Sequence, residues 1–270
     1  MNRLLRLLLA AFIAAVFVFL LLPILAVAMS SFSTSGALIF PPTGFTTAWY
    51  RAIGSGYIDA LKVSLVVAAG TTVLATLVGT PAALALVRGR FPFRESLSAF
   101  CLSPLMVSTL VIAVAAFQFT LVLWDLFDLS LAGTVTGLIL GQSAFTIPFV
   151  IRSVIAAQAN FDLSLEEAAQ SLGAGPLETF FKVTLPILLP GVISGAIFAF
   201  VMSFDDIAVA LFVGGGDAMT LPVKIYTAVE FNFDADIMAI STLVTLASLL
   251  IMLGLDRLTG IEKFASAARG

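Results

Sequence analysis

The 270-residue sequence has no histidine and a single cysteine, Cys101. One cysteine cannot form an internal disulfide, and without histidine the common zinc and haem ligand sets cannot be assembled. The usual general base of enzymes, and the catalytic triads that depend on it, are excluded as well. Cys101 lies in an apolar run, where the expected role is that of a small buried hydrophobe. Metal chemistry and histidine-dependent catalysis are therefore not expected.

Charged residues are also scarce. They make up 11% of the chain, whereas hydrophobic residues make up 60%. A soluble domain is typically about 45–50% apolar and about 25% charged. With 24 Phe and long runs of Leu, Val and Ala, the chain has more apolar surface than one soluble core of this size could bury. We therefore expect lipid to cover much of it.

Apolar stretches long enough to cross a membrane occur six times. A hydrocarbon core of about 30 Å needs about 20 helical residues. The predicted spans run roughly from Leu7 to Met29, Leu61 to Val87, Leu97 to Trp124, Leu131 to Ile151, Ile187 to Val213 and Ile237 to Leu255. The first is too long for the apolar region of a signal peptide, which favours a retained helix. The pattern predicts an all-α membrane protein that forms one domain over residues 1–270, with an N-terminal helix at 7–29 and core helices over about 61–255.

The Lys and Arg residues favour an orientation with both termini in the cytoplasm. In that orientation the outer segments hold only Arg51, Lys62 and Lys224. The ten basic residues of the inner segments are Arg3, Arg6, Arg88, Arg90, Arg94, Arg152, Lys182, Arg257, Lys263 and Arg269. Cytoplasmic loops carry such an excess of basic residues. The outer segments are acidic, which would attract cations or at least not repel them.

Prolines occur within or near several predicted spans, where each removes a backbone donor and can bend a helix. They are Pro23, Pro81, Pro104, Pro148 and Pro190. Membrane helices tolerate proline more readily than soluble helices do, so no single position predicts a bend.

A less apolar stretch, Gln158 to Gly191, separates the fourth and fifth predicted spans. Either Asp162 or Ser164 can cap a helix whose first turn carries Glu166 and Glu167. Acidic side chains are favourable there, because they lie near the positive end of the helix dipole. The sequence therefore predicts a short helix in this loop.

That helix should end at Gly173, and a second short helix should begin near Pro176 and be redirected by Pro186. Two short helices against the ends of the spans would expose Glu167 and the two alanines after it. The pattern fits two interpretations equally well. One is docking to a partner, and the other is an amphipathic helix that only stabilises the fold.

The spacing of this loop resembles the EAA motif of permease subunits in binding-protein-dependent ABC importers. Glu167-Ala168-Ala169 is followed after three residues by Gly173, and after nine more by Val183 and then Leu185-Pro186. The motif has Ile where this chain has Val183. The resemblance implies a type I ABC importer permease fold whose cytoplasmic coupling helix sits in a cleft of an ATPase subunit. The residues it assigns to this coupling are Glu166, Glu167, Ala168, Ala169, Ser171, Leu172, Gly173 and Ala174.

Further segments extend the resemblance over most of the chain. They include PPTGFTTAWY from Pro41 to Tyr50 and DALKVSL from Asp59 to Leu65. SFDDIAVALFVGG from Ser203 to Gly215, with LPVKIYTAVE from Leu221 to Glu230, is similar to the spermidine/putrescine permease branch. The resemblance implies ATP-driven import of a small organic solute, with a polyamine as the leading class. Importers of other small organic solutes share much of this pattern and stay open as alternatives.

The resemblance also implies the partners and the compartment. It predicts a dimer of ATP-binding subunits, a second permease that is a paralogue, and a periplasmic solute-binding protein, all at a bacterial inner membrane and without nucleic acid. The chain has no GxxxxGK[ST] phosphate-binding loop. We therefore expect no enzyme activity and no bound cofactor in this chain, with ATP and Mg bound by the partner ATPase.

Two adjacent acidic residues, Asp205 and Asp206, interrupt the fifth predicted span. Ionisable groups inside a membrane are costly and are read first as functional. On one continuous helix Asp205 would share a face with Phe198 and Met202, whereas Asp206 would share one with Ser203. Our hypothesis is that at least one of them lines the pathway and meets a cationic substrate.

An aromatic ring such as Phe204 or Phe212 could then contact the cation. The alternative is that one or both carboxylates bond to helix termini or to Ser and Thr groups in the bundle. The candidate pathway residues are Asp205, Asp206, Phe204, Met202, Phe198 and Trp124.

Trp124 stands with Asp125 and Asp128 at the end of the third predicted span. Anchoring at the membrane interface is the preferred role for this tryptophan, and a place in the pathway is the other. The main rival function is an ion-coupled secondary transporter that uses Asp205 or Asp206, but no second copy of the fifth-span pattern occurs, as inverted repeats would require. A membrane-embedded enzyme is a remote third class, since adjacent helical residues point about 100° apart.

Overall fold

The computed structural model describes residues 3–35, 44–89, 91–159, 161–231 and 235–259. Within these residues the chain is almost entirely helical, which confirms the all-α prediction. The helices are α1 (Arg3–Ser30), α2 (Ala48–Ala52), α3 (Ser55–Arg88), α4 (Arg94–Leu102), α5 (Thr109–Phe127), α6 (Val135–Gln158), α7 (Ser164–Ser171), α8 (Pro176–Thr179), α9 (Leu185–Phe204), α10 (Ala208–Val213), α11 (Leu221–Phe231) and α12 (Ala235–Thr259). Arg90, Asn160, Lys263, Arg269 and residues 41–43 of the Pro41–Tyr50 segment lie outside the described residues.

Five stretches of the described residues are long and apolar enough to cross a membrane. They are Leu5–Ser30, Ser55–Arg88, Thr109–Phe127, Val135–Gln158 and Pro176–Phe204. The first matches its predicted span to within two residues, whereas the second begins six residues earlier than predicted and the fourth ends seven residues later. The sixth predicted span falls within α12, whose Asp236–Leu249 portion is a shorter apolar helix.

The third predicted span is not one helix from Leu97 to Trp124. Instead, α4 ends at Leu102, a 3-10 turn covers Ser103–Met106, and α5 begins at Thr109. Pro104 has no backbone N–H with which to reach the carbonyl of Phe100. The Ser103 hydroxyl donates to that carbonyl at 2.8 Å instead, so the break leaves the carbonyl satisfied.

The fifth predicted span differs at both ends. It begins earlier, because α8, a π-helical turn at Phe180–Thr184 and α9 form one continuous helical stretch. Pro186 does not redirect the chain as expected. The proline lies in the first turn of α9, where a missing N–H is tolerated, and the π-turn directly before it absorbs the change in hydrogen bonding. At the other end, α9 stops at Phe204 instead of Val213.

The remaining prolines follow the expectation for membrane helices. Pro23, Pro81, Pro148 and Pro190 all lie inside α-helices. Only the position at Pro104 coincides with a break in a predicted span.

The chain divides into two compact units, Met1–Tyr57 with Ile225–Gly270, and Ile58–Lys224. In the first unit α12 packs on α1 and α2. The segment after α1 is fastened to α2: the Trp49 indole N–H donates to the carbonyl of Ser33 at 2.8 Å, and the hydroxyls of Ser31 and Tyr50 lie 2.6 Å apart. The expectation of a single domain stays a prediction.

The second unit is built around α6, which is the most enclosed of its long helices. Glycines let neighbouring helices approach α6 closely. A Cβ added at Gly195 of α9 would lie 2.9 Å from the Cα of Val150, and one at Gly191 would lie 2.4 Å from the Cβ of Ala157. Small residues at helix contacts are the usual means of close packing in membranes. This contact fixes α9, and with it the acidic pair, against α6.

Candidate functional site

The acidic pair lies in a break between α9 and α10. The carboxylate of Asp206 accepts hydrogen bonds from the backbone N–H of Ala210 at 3.0 Å and of Val209 at 3.4 Å. Both donors lie in the first turn of α10, so Asp206 acts as its N-terminal cap. The side chain is buried, at 8% exposure. The chain therefore leaves α9 and begins α10 next to Asp206, whose carboxylate satisfies the N–H groups at the start of α10.

A buried amide joins this cap to α6. The Gln142 Nε2 donates to the Asp206 Oδ2 at 3.1 Å, and its Oε1 accepts a short hydrogen bond from the Ser203 hydroxyl. Gln142 is 0% exposed. Buried polar groups are stable when paired in this way. For Asp206, these bonds match the alternative stated from the sequence, in which a carboxylate serves a helix terminus and polar groups of the bundle.

Asp205 has a different environment. It is exposed, and its carboxylate makes no hydrogen bond or ion pair within the described residues. Directly after α9 it continues an exposed stripe of that helix through Phe198 and Met202, as the helical spacing predicts. Phe204, the last residue of α9, is half-buried and its ring lies 6.1 Å from that of Phe200, nearly parallel. Of the two acidic residues, only Asp205 is free to meet a ligand.

Trp124 lies near the end of α5 and is exposed. The last turn of that helix is closed by Asp128, which adopts a left-handed conformation with φ 55° and donates its N–H to the Trp124 carbonyl at 2.8 Å. Asp residues tolerate this conformation better than most. Both roles stated for Trp124, interface anchor and pathway residue, stay predictions.

The loop between α6 and α9, here named the interhelical loop (residues 161–184), contains the expected first helix, α7. The Asp162 Oδ1 accepts from the Ser164 N–H at 2.9 Å. This backbone hydrogen bond, assisted by one from the Ser164 side chain, lowers the pKa of Asp162 below its ordinary value. Of the two candidate caps, the structure uses Asp162.

The end of α7 also follows the sequence. The helix ends at Ser171, and Gly173 takes φ +92°, a conformation that residues with a Cβ rarely adopt. The N–H of Ala174 donates back to the Ala169 carbonyl at 3.1 Å, which closes the last turn. The region around Gly173 is open, since an added Cβ would meet nothing within 4 Å. Backbone conformation, not packing, accounts for this glycine.

Much of the interhelical loop is exposed and apolar. Leu172 is 90% exposed, and Leu163, Leu165 and Leu177 are exposed as well. Glu167 and Ala168 are also exposed, whereas Ala169 and Ala174 are half-buried. Three of these leucines, Leu163, Leu165 and Leu172, lie outside the membrane-length stretches. Together with the acidic Glu167 they form a surface typical of protein contacts.

Glu166 differs from its neighbour Glu167, because its carboxylate is turned toward the rest of the unit. The Arg88 Nη1, at the end of α3, donates to Oε1 at 2.7 Å and to Oε2 at 3.0 Å. The hydroxyl of Thr184, in the π-turn before α9, donates to the same Oε1. The Arg88 guanidinium lies 5.0 Å from the centre of the Phe161 ring. Two residues that lie 78 and 18 positions from Glu166 in the chain thus meet at its carboxylate.

This ion pair is more shielded from water than the other ion pair of the loop. The side chains of Arg88 and Glu166 are 28% and 15% exposed, against 73% and 49% for the Lys182–Glu178 pair of the same loop. Water screens the second pair strongly and the first much less.

Sequence reasoning missed four residues that support these sites: Gln142, Ser203, Arg88 and Thr184. One signal was available for Gln142, since an amide within an apolar span needs a buried partner. The position of Arg88 at the end of a predicted span indicated only the orientation of the chain in the membrane, and it gave no partner for the guanidinium. Neither pairing could be read from spacing, because the partners are 64 and 78 residues apart in the chain.

Several known proteins resemble this chain. The spermidine/putrescine transport system permease protein PotC of Escherichia coli (strain K12) is 32% identical over 92% of each chain. The putrescine transport system permease protein PotI of the same strain is 32% identical over 84% of this chain and 82% of its own. The molybdenum transport system permease protein ModB of Mycobacterium bovis is 33% identical over 75% of this chain and 80% of its own.

The fold is shared with a solved bacterial ABC transporter involved in import of the acidic polysaccharide alginate. One of its chains superimposes with a TM-score of 0.73 at 16% identity, covering 94% of this chain and 96% of that one. The family model for binding-protein-dependent transport system inner membrane components matches residues 75–261, which contain the interhelical loop and the acidic pair. The chain therefore belongs to the family of binding-protein-dependent transport system inner membrane components.

Proposed function

We propose that this protein is the permease subunit of an ATP-driven importer, and that it carries a small cationic organic solute of the polyamine class. The observation that carries the proposal is the interhelical loop. It joins the spacing of the EAA motif to a folded helix, α7, that exposes Glu167 and Leu172 outside the membrane-length helices. A loop that only stabilised the fold would bury large apolar side chains such as that of Leu172.

In this proposal the exposed face of the loop docks into a cleft of a separate ATPase. The contact is made by Glu167, Ala168, Ala169, Ser171, Leu172, Gly173 and Ala174. The small alanines let the partner backbone approach closely, and the acidic residue fixes the register. ATP and Mg are bound by the ATPase subunits, so this chain is not itself an enzyme and needs no cofactor. Glu166 lies on the same helix but is engaged within the fold.

The proposed cargo rests on the names of two relatives and on the free carboxylate of Asp205. PotC and PotI are named as permeases for spermidine and putrescine. Asp205 offers a free carboxylate at the end of an exposed stripe with Phe198 and Met202, a combination that suits a flexible cation with an apolar stem. Asp206 is withdrawn from this role because its carboxylate already caps α10. ModB, which is 33% identical over 75% of this chain, is named for molybdenum transport, so import of another solute is the alternative that must be tested.

The assembly follows from the family. We propose that two permeases, this one and a paralogue, enclose the pathway, with two ATPases on the cytoplasmic side and a solute-binding protein outside. Both termini would then be cytoplasmic, as the ten inner basic residues favour. The exposed stripe of α9 would face the second permease, with the bilayer covering the apolar surface of α1.

Uptake by proteoliposomes that contain the whole complex tests this function. We expect labelled putrescine or spermidine to enter only with ATP inside and binding protein outside, and unlabelled polyamine but not molybdate to compete. Uptake that continues without the ATPase and collapses with an ion gradient would establish a secondary transporter instead. Competition by molybdate alone would keep the ABC mechanism and overturn the cargo.

A further inference from the structure

The carboxylate of Glu166 connects three separate parts of one unit. It accepts from Arg88 at the end of α3 and from Thr184 in the π-turn that leads into α9, while Glu166 itself lies in the first turn of α7. Arg88 is 78 residues away in the chain and Thr184 is 18. Both α3 and the stretch that contains Thr184 are long and apolar enough to cross a membrane. One carboxylate therefore links a short exposed helix to two long helical stretches.

The surroundings of Arg88 make this contact specific. Its guanidinium lies over the Phe161 ring, and its Nε and Nη2 are buried without a hydrogen-bond partner among the described residues. The cation has thus lost much of its contact with water, and Glu166 is the anion that compensates it. Thr184 is buried at 1% exposure, so its hydroxyl also depends on this carboxylate.

Apart from Glu166, α7 packs chiefly on α8 and the π-turn among the element contacts of the described residues, and its outer face is open. Leu163, Leu165 and Leu172 are exposed around it, and the ion pair formed by Lys182 and Glu178 in the same loop lies in solvent. A force applied to the outer face of α7 therefore reaches the α9 stretch through this packing and through Glu166, and it reaches α3 through the Glu166–Arg88 ion pair. The π-turn at Thr184 is a natural place for a small displacement, because its hydrogen-bond pattern already departs from the α-helix.

We propose that Arg88, Glu166 and Thr184 form a clasp that makes α7 move together with the adjoining ends of α3 and α9 during transport. The inference rests on the proposed function, in which an ATPase docks on the outer face of α7. The three side chains are positioning residues: they contact neither substrate nor nucleotide, and they transmit displacement of the docked helix. In this proposal Glu166 binds groups within the fold, and Glu167 contacts the ATPase.

The test compares variants of the complete complex in proteoliposomes by the ratio of solute taken up to ATP hydrolysed. We expect Glu166→Gln to lower this ratio by about tenfold, within the ~5–150-fold range of coupling between sites, with the ATPase still co-purifying. The combined exchange Arg88→Glu with Glu166→Arg should recover much of the loss, because it restores opposite charges. The control is Lys182→Gln, which removes an exposed ion pair of the same loop and should change nothing.

A second pair of variants keeps the test decisive if a charge variant fails to fold. Thr184→Val preserves the shape of the side chain and removes its donor, so the ratio should fall, whereas Thr184→Ser should keep it. An unchanged ratio in Glu166→Gln or Thr184→Val would overturn the clasp. Loss of the ATPase from the complex would also overturn it, since Glu166 would then belong to the docking surface. ATP-independent uptake by the unaltered complex would reject the proposed function itself, which is a separate outcome.

Discussion

Two pairs of adjacent carboxylates, Asp205–Asp206 and Glu166–Glu167, share one arrangement in different surroundings. In each pair one residue is held by partners on other segments, while its neighbour is exposed with no side-chain partner among the described residues. The partners differ. Asp206 is held by neutral groups, namely backbone N–H groups and the amide of Gln142, whereas Glu166 is held by the cation Arg88.

Burial explains the difference. Asp206 is 8% exposed within the bundle, where bringing a second charge out of water would cost several kcal/mol. The N-terminus of α10 supplies partial positive charge there without a counterion. Glu166 lies beside the end of α3, where Arg88 can reach its carboxylate. The Glu166 side chain stays partly exposed to solvent there. The held residue builds the fold in both pairs, which leaves its neighbour available for a ligand or a partner.

The largest expected effect is on stability, at Asp206. Asp206→Ala removes the cap of α10 and leaves the Nε2 donor of Gln142 unpaired. A lost cap costs about 0.5–2 kcal/mol and a buried unpaired donor about 1–3 kcal/mol, so the free energy of unfolding should fall by about 1.5–5 kcal/mol. Denaturant unfolding in detergent measures this. The matched change Asp205→Ala should stay within about 0.5 kcal/mol; equal losses at both positions would end the distinction between them.

The second effect is on transport, at Asp205. A hydrogen bond to a charged group is worth about 1.5–3 kcal/mol, so Asp205→Asn should weaken the apparent affinity for polyamine by about tenfold or more. Folding should be unchanged because the side chain is exposed. Asp217→Asn, in an exposed turn of the same unit, is the control and should transport normally. Normal affinity in Asp205→Asn would place the pathway elsewhere.

A third effect concerns the exposed half of the loop, at Gly173. Gly173→Ala forces a Cβ into φ +92°, where residues other than glycine lose about 1–2 kcal/mol. We expect the end of α7 to loosen and uptake per ATP hydrolysed to fall, as measured in proteoliposomes. Gly175→Ala is the matched control. Its φ of −71° suits any residue and an added Cβ meets nothing within 4 Å, so transport should be normal.

The smallest effect is a pH dependence at Asp162. Because its folded-state pKa is lowered, the ionised cap stabilises α7 above the ordinary Asp range, and this contribution is lost as the pH falls through the folded value, at about pH 4 and lower. Hydrogen exchange of the α7 amides should accelerate over that range. Asp162→Asn keeps a capping oxygen but cannot titrate there, so its exchange should follow only the chemical pH dependence; a variant that still shows the acid transition would assign it to another group.

Much of the fold followed from local patterns. Membrane-length apolar runs predicted α1, α3 and α6, and the cap at Asp162 with the glycine at 173 predicted α7. Each of these signals lies within one turn of helix or one uninterrupted run. The break at Pro104 had a local signal too, but proline inside a membrane helix is tolerated so often that the signal could not decide.

The break after Phe204 had no decisive local signal. An aspartate pair in an apolar run fits a continuous helix as well as a cap, and the choice depends on Gln142, which lies 64 residues away. For the same reason, the sequence could assign Glu166 and Glu167 to one surface but could not separate them. That separation needed Arg88 and Thr184 to be brought to the same carboxylate.

The sequence by itself determined that this chain is a helical membrane protein, where most of its helices lie, and which loop carries the spacing of a permease. These properties depend on hydrophobic length, capping residues and backbone conformation, which are local. Only the tertiary structure decided which carboxylate of each pair is held and which is exposed. Burying a charged group is tolerable only where a distant segment supplies a partner, and packing of α3, α6 and α9 alone brings those partners together.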